Sequence, residues 1–403
     1  MRYQKQLFLI CALITILYLV LSFLFNIGVK PGGDEITFIK DVNFVIDNGW
    51  IAGIEKRICI PYTLLAYPFA LVLDTIFVLR SINVLLLFAF LLYFLKVAKI
   101  RNPEFYCYLA FYFATIRMFF SGINDPLYII CLSIFLIEVF YYFEKGKMNN
   151  EVLAFSALIV AFFTRELILT YIPVIVFAFV LLYKKGFHSS KKMLFPALLL
   201  TLMIGANIPS IFKNTALSYE QKSPPKGAGV NWVQLQYLAQ LLVNEGKIPN
   251  NSHPTWAETK AYVDTNGPNS LPHGLSSGLT HDVKLTVSEF FKDFASSLFY
   301  GFRQLGLIVL FPFLFIGNEI LKRTWSYSLF LPIVIFTVMA TFSLIIISFI
   351  ELRWYGAIFF PAIVFFTFYA EKIKNGHLLK LGNYIFLILM SLYGIYNMFG
   401  KFL

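Results

Sequence analysis

The sequence predicts an all-α polytopic membrane protein with about eleven transmembrane helices and some interfacial or re-entrant segments. The first observation is composition: 59% of the 403 residues are hydrophobic and 14% are charged, whereas a soluble domain carries roughly a quarter charged residues. The second is that apolar runs of about 20 residues, the length needed to cross a bilayer as a helix, recur along the chain. The third is that short basic clusters separate these runs, as cytoplasmic loops do.

The positive charge of the chain is interpreted as a set of topology signals. The formal net charge of +11 would by itself also suit a nucleic-acid-binding protein. The basic residues, however, form short clusters between apolar runs: Arg2/Lys5, Lys96/Lys99/Arg101, Lys145/Lys147, Lys184/Lys185/Lys191/Lys192, Lys322/Arg323 and Lys372/Lys374/Lys380. Placing every cluster in the cytoplasm follows the positive-inside rule. We therefore expect these residues to set orientation, and we expect no nucleic-acid partner.

This orientation gives a nearly consistent threading through the membrane. Residues 7–28 cross outward as a retained anchor, because the run is longer than the apolar core of a signal peptide and lacks a convincing cleavage site. The predicted spans that follow are 82–98, 104–120, 126–143, a hairpin over 151–183 turning near Thr170–Pro173, 193–212, 296–320, 325–350, 354–370 and 383–399. The chain is therefore predicted to have three parts: a transmembrane module 1–212 with a first outer loop 29–60, an exoplasmic loop or lid 213–292, and C-terminal helices 293–403.

One apolar segment, residues 61–79, does not fit this threading as a full crossing. A span there would reverse the orientation of everything that follows it. We interpret the segment as re-entrant or interfacial, which is tolerated at membrane depth only where the backbone packs against protein. Asp74 and Arg80 near its end fit this interpretation, and they also fit an ordinary helix terminus.

Acidic residues open the first outer loop. The stretch Asp34–Asn48 has polar residues at helical spacing on one face and apolar residues on another, a pattern typical of an amphipathic helix on the membrane surface. Asp34 stands where a helix N-cap is expected. It is interpreted either as a capping carboxylate or as a functional acid, with Glu35 as its neighbour.

Two further polar elements are predicted on the same outer side. The turn Gly122-Ile123-Asn124-Asp125-Pro126 has turn-forming residues on local grounds, but Asp125 would share a face with Asp34, and two carboxylates there could hold a divalent cation or divide acid and base roles. Thr164-Arg165-Glu166 lies inside the apolar run 151–170, about one turn from its outer end. Arg165 and Glu166 form either a structural pair or a phosphate-binding site through the guanidinium.

The fourth outer element is Glu351-Leu352-Arg353-Trp354-Tyr355, where anchoring at the membrane interface and phosphate binding are both open for Arg353. Arg117 and Arg303 are expected near this side.

The polar segment 213–292 contains Lys222-Ser223-Pro224-Pro225-Lys226-Gly227 and an amphipathic stretch Trp232–Val243. The loop histidines His253, His273 and His281 do not have the spacing of metal ligands and are interpreted as ordinary loop residues. The cysteines also lack metal-ligand spacing and are interpreted as inert thiols: Cys11, Cys59, Cys107 and Cys131.

The order of these elements resembles the GT-C superfamily of polytopic glycosyltransferases, including the bacterial lipid-linked-sugar-dependent enzymes and the mannosyltransferase-like proteins. The resemblance covers roughly residues 1–185, with the Arg353 helix added, and no single motif is specific. It depends on an anchor helix, Asp34-Glu35, Asp47-Asn48-Gly49-Trp50, an apolar segment from Pro61, Asn124-Asp125-Pro126, Thr164-Arg165-Glu166 and Arg353.

The resemblance implies a function and a site. It implies transfer of a sugar from a polyprenyl-phosphate-linked donor to a cell-envelope acceptor, at the outer face of a bacterial plasma (inner) membrane, with lipid-linked donor and membrane lipid as partners. Asp34 would be the general base, with Glu35 substituting for it or orienting it. Asp125 would aid donor or metal binding, and Arg165, Glu166 and Arg353 would form the donor-phosphate site. No DxD motif is present, so no metal ligand is assigned, although Mg or Mn remains an open cofactor.

Two other functions remain open from the sequence. An O-antigen or polysaccharide polymerase or ligase also has about a dozen helices and a large outer loop, and it would require Arg303 and His281. A lipid or solute transporter would keep its polar residues near the middle of the membrane. No internal repeat or inverted symmetry is detected, which weakens the transporter alternative.

Overall fold

The protein is all-helical wherever the structure describes it. The computed structural model covers residues 2–116, 118–188, 190–219, 227–373 and 376–400, and these residues form eighteen α-helices and no β-strand. Seven helical segments in this part of the chain are long and apolar enough to cross a membrane: Tyr3–Ile27, Thr75–Val97, Asp125–Lys145, Lys191–Asn214, Tyr327–Leu344, Leu352–Lys372 and Gly376–Phe399. The prediction of an all-α protein is confirmed, and seven such helices are compatible with several membrane crossings. The count of eleven spans stays a prediction.

The helices divide between two compact units. The first unit consists of Met1–Glu220, Gly301–Phe336 and Gly356–Leu403, and the second consists of Gln221–Tyr300 and Thr337–Tyr355. The helices from the N-terminus to residue 214 are α1 (Arg2–Ile27), α2 (Asp34–Asn48), α3 (Trp50–Glu55), α4 (Ile60–Ala70), α5 (Thr75–Leu92), α6 (Pro103–Ile116), α7 (Asp125–Lys145), α8 (Glu151–Thr164), α9 (Ile168–Lys184) and α10 (Leu194–Asn214). Those that follow are α11 (Trp232–Asn244), α12 (Trp256–Asn266), α13 (Leu275–His281), α14 (Val283–Leu305), α15 (Leu307–Leu321), α16 (Phe330–Leu344), α17 (Gly356–Tyr369) and α18 (Gly376–Phe399).

Helices α7 and α17 form the buried centre of the first unit. Nearly every side chain of both helices is buried, and α7 packs against α8, α17 and α5. The ring of Phe360 on α17 lies edge-on to Phe90 and Tyr112, with centroids 4.9 and 5.0 Å away. Helix α1, by contrast, exposes large apolar side chains such as Leu13 and Leu24. An apolar helix with an exposed apolar face is what a lipid-facing position requires.

Charged residues of the first unit gather at the ends of its helices. At the end where α7 finishes, Glu138 accepts hydrogen bonds from the Tyr93 hydroxyl at 2.7 Å and from the Asn149 and Asn150 backbone N–H groups at 2.6 and 3.0 Å. Lys145 is the last residue of α7, Lys147 lies two positions beyond it, and both are exposed. A second set of charged residues lies where α7 begins: Glu35, Arg80, Asp125 and Arg165. The two sets are at opposite ends of a helix of 21 residues, which is about 31 Å long.

The segment 61–79 is not a single element, and this corrects the predicted boundaries. Helix α4 ends at Ala70, Asp74 caps the next helix by accepting a hydrogen bond from the Ile76 N–H, and α5 begins at Thr75 rather than at residue 82. The 11 residues of α4 extend about 16 Å, too short to cross a hydrocarbon core of about 30 Å. The interpretation of Asp74 as a helix terminus is therefore confirmed, and a re-entrant position stays a prediction.

Two predicted spans are broken by tertiary contacts. The hairpin over 151–183 turns at residues 165–167, not at Thr170–Pro173, and Pro173 lies inside α9. The span 296–320 is interrupted at Gly306, which has a φ of 64° and is followed by a hydrogen bond of 2.8 Å from the Leu307 N–H to Asn383 Oδ1. The proline signal therefore misplaced the hairpin turn, and the hydropathy pattern did not predict the break at Gly306. The span 325–350 was also too long, since α16 ends at Leu344.

The second unit has its own small core and two well-capped helices. Tyr237, Leu238, Leu271 and Ile346 form a buried apolar cluster. Asn231 begins α11 with a capping box that includes Gln234, and Thr255 begins α12 in the same way with Glu258. Such reciprocal hydrogen bonds satisfy the first N–H groups of a helix. The amphipathic stretch predicted at Trp232–Val243 is thus confirmed as a helix, while the basic run 222–226 lies outside the described residues.

Candidate active site

Helix α2 begins with the two acidic residues singled out in the sequence. Gly33 occupies the N-cap position with a φ of 56°, and Asp34 is the first helical residue, so the prediction that Asp34 is the N-cap is wrong. The positive φ explains this difference, since glycine takes such a conformation without a steric penalty. Asp34 is half-buried and Glu35 is buried. Carboxylates in the first turn are favoured by the partial positive charge at a helix N-terminus.

Glu35 is held by three hydrogen-bond donors. Arg80 at the start of α5 donates from Nε to Oε1 at 2.8 Å and from Nη2 to Oε2 at 2.9 Å, and the Gly122 N–H donates to Oε1 at 2.6 Å. Arg80 also donates to the carbonyls of Ile27 and Val29 at 3.0 and 2.8 Å. Two parallel bonds between a guanidinium and a carboxylate define both position and orientation. This network joins the start of α2 and the segment before it to α5 and to the turn before α7.

The network lowers the pKa of Glu35. Burial by itself raises the pKa of this carboxyl, because it disfavours the charged form, but the hydrogen bonds from Arg80 and from the Gly122 N–H outweigh burial and hold the pKa below its ordinary value. Glu35 is therefore ionised at neutral pH. A carboxylate that is buried and engaged in this way is suited to positioning its neighbours and poorly suited to accepting a proton from a substrate.

The turn before α7 is fixed from two sides. Asn83 on α5 donates through Nδ2 to the carbonyls of Ser121 and Ile123, the latter at 2.8 Å. A Cβ added to Gly122 would lie 2.7 Å from Leu79 Cβ and 3.1 Å from Glu35 Oε1. Only glycine allows the backbone to approach this closely. The turn therefore depends on glycine here because of packing, and Gly122 brings the chain into contact with Glu35.

Asp125 and Arg165 form an ion pair between the start of α7 and the end of α8. The Asp125 side chain is 1% exposed and that of Arg165 is 20% exposed. The adjoining Thr164 carbonyl accepts hydrogen bonds from Asn124 Nδ2 at 3.0 Å and from Cys59 Sγ at 3.1 Å. Arg165 itself has an extended backbone, with φ −152° and ψ 135°. The Thr164-Arg165-Glu166 motif thus lies at a helix end and not inside a helix, which corrects the predicted position.

These contacts bring three of the four predicted outer elements to one end of the first unit. The start of α2 contacts the turn through Glu35 and Gly122, and the start of α7 contacts the end of α8 through Asp125 and Arg165. Glu166 lies exposed beside them. We call the group Asp34, Glu35, Arg80, Asp125 and Arg165 the acid–guanidinium site. Within this site the Asp34 carboxylate is half-buried and the Arg165 side chain is one-fifth exposed, and both lie next to apolar helices.

The fourth predicted element belongs to the second unit. Arg353 pairs with Glu351 at 2.5 Å, its side chain is 19% exposed, and the short 3₁₀ helix Leu352–Tyr355 contains it. Arg303 is exposed in the last turn of α14, and Arg117 lies outside the described residues. The phosphate-binding roles predicted for these arginines stay predictions.

Sequence reasoning did not identify two residues that organise the site. The sequence pattern indicates Arg80 only as the end of an apolar segment and indicates no role for Asn83. Their signal was present in the sequence, since both are polar residues at the start of an otherwise apolar membrane-length helix, where polar groups are rare and usually have partners.

The described residues contain no cluster of three or more His, Cys, Asp or Glu side chains arranged to hold a metal ion. The loop histidines make ordinary contacts: His281 Nε2 donates a hydrogen bond to the Ser270 carbonyl at 3.3 Å, and His273 Nδ1 lies 3.4 Å from Gln234 Nε2. Of the cysteines, Cys11, Cys59 and Cys107 are buried and Cys131 is half-buried. A bound Mg or Mn therefore stays an expectation.

Comparisons with protein-family models, with curated proteins and with solved structures gave no match. The interpretation of the site therefore depends on its own geometry and chemistry.

Proposed function

We propose that this chain is an integral membrane glycosyltransferase that moves a sugar from a polyprenyl-phosphate-linked donor to a cell-envelope acceptor at the outer membrane face. The observation that carries the proposal is the acid–guanidinium site itself. Carboxylates and guanidinium groups from separate loops meet at one end of a bundle of apolar helices. Ionisable groups that are buried among the apolar helices of a membrane protein, as Glu35 and Asp125 are, are costly and usually functional.

In this proposal Asp34 is the general base. It is half-buried at the start of α2, so a substrate hydroxyl can reach it, and its neighbour Glu35 is buried in the Arg80 network. Glu35 is then a positioning residue that fixes the first turn of α2 against α5. Of the two roles that the resemblance allowed for Glu35, substituting for the base or orienting it, the geometry favours orienting.

The proposed reaction is a single displacement. The acceptor hydroxyl oxygen forms a bond to the anomeric carbon of the donor sugar as the bond between that carbon and the phosphate oxygen breaks. The hydroxyl proton passes to the Asp34 carboxylate, and the electron pair of the broken bond leaves with polyprenyl phosphate. General-base assistance of this kind typically contributes about 10²–10⁴-fold.

Arg165 is proposed to contact the donor phosphate. Its guanidinium is one-fifth exposed and matches phosphate geometry, while its pairing with the buried Asp125 carboxylate fixes its orientation. Asp125 then holds Arg165 and does not itself bind the donor. Glu166 remains a proposed member of this phosphate site, and the phosphate-binding role predicted for Arg353 in the second unit stays a prediction.

The alternatives make different demands on the same chain. A polymerase or ligase mechanism requires Arg303 and His281, and His281 packs edge-on to Tyr237 at a centroid distance of 5.3 Å, a contact that suits a structural role. Alanine substitution of Arg303 and of His281 separates this alternative from the glycosyltransferase.

A transporter requires polar groups near mid-membrane, whereas the ion pairs Glu35–Arg80 and Asp125–Arg165 lie at helix ends.

Sugar transfer can be tested with the purified chain in lipid vesicles. The donors are farnesyl-phosphate-linked hexoses, the acceptors are neutral di- and trisaccharides, and mass spectrometry detects farnesyl phosphate and extended saccharide. We expect both products in equal amounts. A farnesyl hexoside without the phosphate is the matched control and should give no product, because its leaving group is poor. Sugar or donor that accumulates inside the vesicles unchanged would favour a transporter and contradict the proposal.

A further inference from the structure

The second unit contains a cavity that the proposed reaction does not use. It has a volume of about 300 Å³ and lies among α11, α14, residues 250–251 and residues 348–355. Binding sites for small molecules typically have volumes of about 300–1,000 Å³. The cavity is therefore large enough for a ligand of one or two rings.

The lining of this cavity is rich in groups that both donate and accept hydrogen bonds. Three side-chain amides, from Gln240, Asn250 and Asn251, line it together with the hydroxyls of Ser296 and Ser297. An amide presents two N–H donors and a carbonyl acceptor, and a hydroxyl does both as well. Neighbouring hydroxyl groups on a sugar ring present the same mixture of donors and acceptors, and they are matched by such a lining.

Aromatic rings complete the lining. Tyr300 and Tyr355 both line the cavity. Tyr355 is buried, is hydrogen-bonded to Ser297 at 2.8 Å, and packs edge-on to Phe342 at a centroid distance of 5.2 Å. Tyr355 is therefore held rigidly in the wall, whereas Tyr300 is 38% exposed and its ring offers an apolar surface with a polar tip. Such a surface can pack against the C–H bonds of a sugar ring.

Asp293 provides a polar atom without a partner in the cavity wall. Its Oδ2 is buried and makes no hydrogen bond with any described residue. Burial, with a further contribution from the negative charge of Glu289, raises the pKa of Asp293 to about 7. Near neutral pH a large fraction of this carboxyl is therefore protonated, and a protonated carboxyl donates one hydrogen bond and accepts others. A buried polar atom without a partner is costly, and a ligand hydroxyl would remove that cost.

The charges around the cavity favour a neutral ligand. Lys292, its only lysine or arginine among the described lining residues, pairs with Glu289 at 3.1 Å and donates to Asn244 Oδ1 at 3.1 Å. The positive charge is thus already balanced. A phosphate or carboxylate in the cavity would meet repulsion from the ionised fraction of Asp293, which lines it.

We infer that this cavity binds a neutral saccharide, with Asp293 and the amides of Asn250 and Asn251 contacting hydroxyl groups and a tyrosine ring packing against the sugar. The inference does not rest on the transfer reaction proposed above, because it uses residues of the second unit alone.

Saccharide binding can be measured by calorimetry on the full chain in nanodiscs, which avoids detergents with sugar headgroups that would compete. The probes are glucose, mannose, galactose, N-acetylglucosamine and their disaccharides, with glucuronate and inorganic phosphate as anionic comparisons. We expect at least one neutral saccharide to bind with a dissociation constant at or below about 10 mM. Asp293→Leu should weaken this binding about tenfold or more. The isosteric Asp293→Asn, which keeps a donor and an acceptor, should stay within about threefold of the wild type.

Two controls keep the result interpretable. Asp264→Leu makes the same chemical change as Asp293→Leu at an exposed position on α12 and should leave binding unchanged. Asn251→Ala provides a second route to weaker binding should Asp293→Leu fail to fold, as judged by its melting curve. Binding that persists in Asp34→Asn would show that the cavity acts independently of the proposed transfer reaction.

The pH dependence of saccharide binding distinguishes a direct contact by Asp293 from a purely structural role of this residue. The groups that face Asp293 are Glu289, Lys292 and Tyr355. Saccharide binding by the wild type should weaken as pH rises through about 7, because the donor form of Asp293 is lost, and Asp293→Asn should remove this dependence. The inference is overturned when no neutral saccharide binds, when the anions bind in preference, or when Asp293→Leu binds as well as the wild type.

Discussion

Replacing Asp34 with asparagine should lower the rate of sugar transfer by about 10²–10⁴-fold while the protein still folds and inserts into the membrane. Asparagine has nearly the same shape as aspartate but cannot take the proton of the acceptor hydroxyl. Asp34 is only half-buried, so the substitution disturbs little packing. Transfer should be measured with saturating donor, so that the change appears in kcat and is separated from binding.

The matched control for Asp34→Asn is Asp47→Asn. Asp47 lies on the same helix, is exposed and is close to its opposite end, so the substitution makes the same charge change without touching the proposed base. Its transfer rate should equal that of the wild type. Near-wild-type transfer by Asp34→Asn would show that the base has been wrongly assigned.

Replacing Arg80 with glutamine should lower the free energy of unfolding by about 3–5 kcal/mol. The substitution leaves the Glu35 carboxylate buried without its guanidinium, and it also removes the hydrogen bonds to the Ile27 and Val29 carbonyls. The double variant Glu35→Gln/Arg80→Gln should be destabilised by less than the sum of the single variants, because neither buried charge remains. Reversible unfolding in detergent micelles gives these values.

The Glu35 pair also predicts how stability depends on pH. Since the pKa of Glu35 is lower in the folded protein than in the unfolded chain, its stabilising contribution is present above its unfolded pKa. That contribution is lost as pH falls through the folded pKa. Glu35→Gln should therefore reduce the acid sensitivity of unfolding.

Lys260→Gln is the control for a charge change at an exposed ion pair. Lys260 and Asp264 are exposed on α12, and such a pair contributes about 0–1 kcal/mol. An effect of Arg80→Gln no larger than that of Lys260→Gln would contradict the assignment of Glu35 and Arg80 as the pair that holds the start of α2 against α5.

The apolar and amphipathic patterns of the sequence were sufficient to predict most of the helices. The predicted amphipathic helix Asp34–Asn48 has those bounds in the structure, and the predicted span 126–143 corresponds to Asp125–Lys145. The pattern of α2 arises because one face of the helix is buried, and that of α7 because nearly the whole helix is buried; both are contained in local sequence.

The partners of the site residues could not be predicted, because they depend on contacts between distant parts of the chain. Arg80 and Glu35 are 45 positions apart, and Gly122 and Glu35 are 87 apart. The same reason explains the misplaced hairpin turn. Pro173 is a helix breaker by local rules, yet the break occurs at Arg165, whose side chain pairs with Asp125 on α7.

In the proposed function, the end of the first unit that contains the acid–guanidinium site faces the outside of the cell. Single cysteines at Lys30 and Lys147 test this directly, since both positions are exposed and lie near opposite ends of α7. A membrane-impermeant maleimide applied to intact cells should label Lys30→Cys and should label Lys147→Cys only after permeabilisation. The reverse pattern, or labelling of both positions in intact cells, would contradict the account.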